Sequence, residues 1–96
     1  MHSSSHSSVL LKPLPTGSDE QLVASALQGE QSAFEAIMRR HNRLLFRAAR
    51  GVVTDDAEAQ DVVQETYLRA FTRLQDFQGG ASLGTWLARI AINLAL

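Results

Sequence analysis

The chain has 96 residues, 45% of them hydrophobic, and no cysteine, which fits one small globular domain and excludes a disordered chain, a disulfide framework and a thiolate metal site. Its net charge of −1 gives no global basic field. No apolar run is long enough to span a bilayer, and Met1 to Ser8 lacks the charged and apolar segments of a signal peptide, so a cytoplasmic protein without membrane insertion is expected.

Residues 1–17 read as a disordered tail. His2, His6 and a run of serines open it, and Pro13 and Pro15 keep it from being helical throughout. From Ser18 the pattern is helical. Ser18 with Gln21 has the form of a capping box, followed by Leu22, Val23, Ala26 and Leu27 up to Gly29. Ser32 with Glu35 repeats the capping signature ahead of the longest periodic segment, Phe34, Ile37, Met38, His41, Leu44, Leu45, Ala48, Ala49 and Val52. His41, on that apolar face between arginines, reads as a packed histidine. Gly51 to Asp55 breaks the segment, and Asp55 or Asp56 caps a third helix running to about Gln75. Asp76 to Ser82 is a loop containing Gly79 and Gly80. Ser82 caps a fourth helix through Trp86, Leu87, Ile90, Ala91 and Leu94. No strand pattern is present, so the expected fold is all-α, a compact bundle of about four helices. The last helix carries no stop signal, and the sequence reads as a fragment cut inside or near the end of that helix.

Charge is distributed unevenly. Arg39, Arg40, Arg43, Arg47 and Arg50 occupy one stretch without an acid, and Asp55, Asp56, Glu58, Asp61 and Glu65 follow without a base. Two solvated faces pairing with each other is one reading. On the third helix, at 100° per residue, Asp61, Gln64, Glu65 and Leu68 share a sector of about 100°. Val63, Tyr67, Ala70, Phe71 and Leu74 form the expected core face. A large apolar residue among carboxylates and an amide, with no bases within the acidic turns, suits docking to a basic partner; a solvated face is the alternative.

The string Asp56-Ala57-Glu58-Ala59-Gln60-Asp61-Val62-Val63-Gln64-Glu65-Thr66-Tyr67-Leu68-Arg69-Ala70-Phe71 resembles region 2.2 of the extracytoplasmic-function (ECF) sigma factors. Phe77-Gln78-Gly79-Gly80-Ala81-Ser82-Leu83-Gly84-Thr85-Trp86-Leu87-Ala88-Arg89-Ile90-Ala91-Ile92-Asn93 resembles their region 2.3. The resemblance implies a sigma region 2 domain over residues 18–96, truncated near the end of region 2.3. Its function would be transcription initiation, docking on the β′ clamp helices of RNA polymerase and recognising and melting the promoter −10 element.

By the same resemblance, Asp61, Gln64 and Glu65 occupy polymerase-contact positions; Leu68 is added from the helical-face argument. Gly79, Gly80, Thr85, Trp86, Arg89 and Asn93 fall in the stretch that holds an unpaired base of the −10 non-template strand. Arginine suits phosphate, an amide suits a base edge and an aromatic suits stacking. Each has a plainer reading: Trp86 as core, which is preferred, Arg89 as a solvated charge, Asn93 as a cap, and Gly79-Gly80 as a connector. Gln60 departs from the acid usual in the family, and the arginine-rich region 2.4 and the second helical domain are missing. The expected partners are RNA polymerase core, promoter DNA and an anti-sigma factor, with no cofactor. The alternative is a helical interaction module whose main partner is a sequestering anti-sigma regulator. Catalysis is not expected, since no phosphate loop or metal-spaced His/carboxylate set is present. Nor is a duplex-reading helix-turn-helix, because the fourth helix has Arg89 as its only base.

Overall fold

The computed structural model describes residues 15–96; the tail reading over residues 1–14, with His2 and His6, lies outside them. Four α-helices follow in order: α1 (Asp19–Leu27), α2 (Gln31–Arg50), α3 (Asp56–Thr72) and α4 (Leu83–Ala95), with one turn of 3-10 helix (Leu74–Asp76) after α3. The described residues contain no strand, and the all-α expectation holds. The third helix stops as an α-helix at Thr72 and tightens into the 3-10 turn, where the sequence pattern ran on to Gln75.

Short-range chemistry sets most of the boundaries. Ser18 caps α1 through a complete capping box: its hydroxyl accepts from the Gln21 amide, and the Gln21 side chain accepts from the Ser18 amide. Asp55 caps α3 by accepting from the Glu58 amide, and Ser82 caps α4 by accepting from the Thr85 amide. The expected cap at Ser32 is absent. Gly29, at φ +98°, turns the chain, the Glu30 amide donates to Ser25 O, and the Ala33 amide already donates to Glu30 O. The helix therefore starts with Glu30 as its N-cap and no side-chain cap, leaving Ser32 inside the first turn.

Helix α2 is the hub, packing against α1, α3 and α4, while α3 and α4 pack on each other. Leu22, Ile37, Leu45, Val63, Leu83 and Leu87 are the large side chains at the centre of the shared core. The core also admits Thr66, whose hydroxyl donates to Val62 O at 2.7 Å, and Tyr67, whose hydroxyl donates to Met38 O at 2.7 Å across to α2. No buried side-chain nitrogen or oxygen among the described residues lacks a partner, so the core meets the requirement that buried polar groups be satisfied. Phe71 departs from expectation. It is 59% exposed, with its ring edge-on to Phe34 at 5.2 Å between centroids. Seven residues of helix fall 20° short of two full turns, so Phe71 lies only about 20° from Gln64 and at the margin of the polar sector.

Ion pairs tie the start of α1 to the middle of α2 and brace the α2–α3 turn. Asp19 receives Arg40 at 3.0 Å on one oxygen and lies 3.1 Å from His41 Nε2 on the other, and Arg40 also donates to Gly17 O. His41 is thus a packed histidine. Arg50 donates to Asp56 at 2.7 Å and to Val53 O at 2.8 Å, bracing the turn into α3.

Candidate functional site

Two groups of predicted residues emerge on two helices. On α3, Asp61, Gln64, Glu65 and Leu68 are all exposed along one face. Leu68 is 64% exposed, the largest fraction for any large hydrophobic side chain inside a described helix. The opposite face of α3 buries Ala59, Val63, Thr66, Tyr67 and Ala70, and that burial fixes the rotation of the helix and therefore which side chains it offers to solvent. The acids on this face are less free of bases than the sequence suggested. Arg69, one turn on, lies 3.4 Å from Glu65, both side chains being about half exposed. An exposed pair at this spacing is worth only about 0.3–0.5 kcal/mol, so it can be exchanged for a partner's cation. Asp61 enters no ion pair among the described residues.

Gln64 stands at the edge of an open groove of about 360 Å³ between α2 and α3, lined also by Met38, Arg39, Asn42 and Tyr67. Sequence reasoning did not place Arg39 or Asn42 at this site. Helical periodicity gives the faces of each helix but not the register in which two helices meet. Tyr67 contributes to the lining from the buried face of α3. Burial pushes its pKa up to about 12, so it is a neutral donor to Met38 O at physiological pH.

The second group sits on the loop and α4. Gly79 has φ +79° and is exposed, a conformation that favours glycine; Gly80 is exposed, and a side chain there would meet nothing within 4 Å. Thr85, Arg89 and Asn93 follow at intervals of four and are exposed along one face of α4. The Thr85 hydroxyl accepts from Ser82 at 2.9 Å, and Arg89 enters no ion pair among the described residues. Trp86 is neither buried nor free. It is half-buried against the core, with its indole tilted over Phe77 at 5.5 Å between centroids. Phe77 is thus a supporting residue that no helical period links to Trp86, because the glycine-containing loop separates them. Phosphate, base edge and base face could each find a matching group on this surface.

A family model described as Sigma-70 region 2 matches residues 37–96. RNA polymerase sigma factor NccH of Alcaligenes xylosoxydans xylosoxydans is 39% identical over 75 residues, covering 78% of this chain and 40% of the relative. ECF RNA polymerase sigma factor SigM of Mycobacterium tuberculosis is 35% identical over 79 residues, covering 82% of this chain and 40% of the relative. Among solved structures, an engineered region 2 of sigmaE, determined by NMR in complex with GTAAAA, matches with a TM-score of 0.75 at 32% identity, covering 82% of each chain. The chain belongs to the Sigma-70 region 2 family and is the region 2 domain of an ECF sigma factor. It spans about two fifths of the length of these curated relatives.

Proposed function

We propose that this domain docks on the β′ clamp helices of RNA polymerase through the outer face of α3, and that the Gly79–Gly80 loop with α4 recognises and melts the promoter −10 element. One observation carries the docking half: Leu68, 64% exposed, stands on the same solvent face as Asp61, Gln64 and Glu65. An apolar side chain left in water beside hydrogen-bonding groups fits a protein partner that covers the first and pairs with the second. The relative solved in complex with GTAAAA supports the DNA half. There, Arg89 and Asn93 would meet the strand, and Trp86, braced by Phe77, would offer the exposed part of its ring to an extruded base. An anti-sigma regulator would act by covering the α3 face, in competition with the polymerase.

The test is binding to a purified β′ clamp-helix fragment. Replacing Gln64 and Glu65 together by alanine keeps α3 helical, because alanine is the best helix former and both positions are exposed. Affinity falls tenfold or more, since the loss of even one charge-assisted bond of about 1.5 kcal/mol costs about a factor of ten. Unchanged binding by the helical variant, checked by circular dichroism, removes the α3 face from the interface.

A further inference from the structure

The arginine run of α2 is only partly absorbed by the fold. Arg40 is held by Asp19 and Gly17, and Arg50 by Asp56 and Val53. Arg39, Arg43 and Arg47 are exposed and enter no ion pair or side-chain hydrogen bond among the described residues; the arginines that form ion pairs are Arg40, Arg50, Arg69 and Arg73. At intervals of four they lie within about 80° of one another on the helix, each step rising about 6 Å. The sides of α2 beside them are covered by α1, α3 and α4, so the three guanidinium groups form one solvent-facing edge of the domain.

That edge adjoins the proposed −10 surface. A methyl group on Gly84, in the first turn of α4, would lie 3.1 Å from Leu44 Cδ2 and 3.4 Å from the His41 ring. The start of α4 therefore rests directly on the turn of α2 that carries Leu44, whose chain neighbour is Arg43 and whose neighbour one turn on is Arg47. Leu44 itself is 42% exposed. Leu44 thus links Gly84, the chain neighbour of Thr85, to the stretch of α2 that carries Arg43 and Arg47.

We propose that Arg43 and Arg47, extended by Arg39, form a sequence-independent phosphate-binding edge that continues the nucleic-acid path beyond the loop and α4. The inference rests on the −10 reading of α4. All three groups are guanidinium forks, suited to bidentate contact with phosphate oxygens, and none forms an ion pair with an acid among the described residues. An acidic protein is the rival partner. A row of like charges at regular helical steps beside a surface whose relative is solved with a nucleic acid favours a polyphosphate backbone instead.

The experiment is fluorescence anisotropy of a labelled, mixed-sequence DNA strand of about 20 nucleotides over a series of salt concentrations, with the full chain as wild type, as Arg43→Gln/Arg47→Gln and as Trp86→Ala. Glutamine keeps the helical propensity of exposed arginine positions, and circular dichroism verifies the fold. Loss of two single-strand phosphate contacts lowers the slope of log affinity against log salt by about 1.4 and weakens binding roughly tenfold near 0.1 M salt. A strand carrying GTAAAA, compared with a scrambled hexamer in the same frame, reads base preference separately. The glutamine variant keeps whatever preference the wild type has, and Trp86→Ala keeps the slope. An unchanged slope in the glutamine variant overturns the phosphate edge, whether or not base preference is present. A lowered slope without base preference in the wild type keeps the edge and removes the −10 reading. Wild type that binds no strand overturns both. Variant binding to DNA as wild type, with lost binding to a polyglutamate peptide, overturns the edge and assigns it to an acidic protein.

Discussion

Tyr67 joins two helices with one hydroxyl. It is 4% exposed, its ring lies edge-on to Phe34, and its O–H donates to the Met38 carbonyl. A phenol buried in this way ionises at about pH 12 instead of its ordinary value of 10.0, because burial disfavours the charged form. Below pH 10 both folded and unfolded chains hold the proton and the group makes no pH-dependent contribution. Between pH 10 and 12 the unfolded chain loses the proton first, so stability falls as pH rises, by a few kcal/mol in total. Urea unfolding followed between pH 9 and 12 should show this fall in the wild type. Tyr67→Phe should lose about 1 kcal/mol at neutral pH and show no such fall. Tyr67 is the sole tyrosine of the chain, so tyrosinate absorbance reports the same ionisation directly. A wild-type curve flat over that range would contradict the buried hydrogen-bonded phenol. Phe71 shows the opposite fate of an aromatic on the same helix: seven residues after Gln64, it leans on Phe34 but stays largely in water.

At the scale of elements, local rules were legible and contacts between helices were not. Ser18 and Ser82 were readable as caps, and Asp55 as one of two adjacent candidates with Asp56, because each acts within its own first turn. Ser32 misled because the same residue pattern was pre-empted by Gly29 and Glu30, whose turn hydrogen bonds start the helix earlier. The polar sector of α3 was readable from Asp61, Gln64, Glu65 and Leu68 because the 3.6-residue period fixes it. The neighbourhood of Gln64, with Arg39 and Asn42 across the groove, was not, since it depends on how α2 and α3 are set against each other. Helix α4 meets α2 equally closely at Gly84, where the nearest atoms to an added methyl belong to Leu44 and His41. Gly84→Val should therefore cost about 1–3 kcal/mol, as an overpacked contact that also adds β-branching in the first turn. A denaturation midpoint equal to wild type would show that Leu44 moves aside freely. Its movement would then loosen the junction between α4 and the arginine edge.

For the whole molecule, the consequence of a single core shared by four helices is that the working surfaces are held in fixed relation. The proposed docking face of α3, the proposed DNA-facing side of α4 and the arginine edge of α2 lie on elements that pack on one another pairwise, so helix packing sets the placement of each, with Gly79 and Gly80 on the connecting loop. On the proposed reading the division of charge along the sequence becomes a division of labour: α3 would present carboxylates and an amide to a protein, while α2 and α4 would present guanidinium groups to a nucleic acid. On that reading, the uneven charge that the net value of −1 conceals would let one small domain face two partners of opposite charge. The most direct measurement of this account is an NMR titration of the methyl- and amide-labelled domain with a β′ clamp-helix fragment. The account predicts that the Leu68 methyl groups and the Gln64 side-chain amide shift on binding, while the methyl groups of Leu87, buried in the core, do not. Binding that leaves Leu68 and Gln64 unperturbed and moves signals of α4 instead would contradict it.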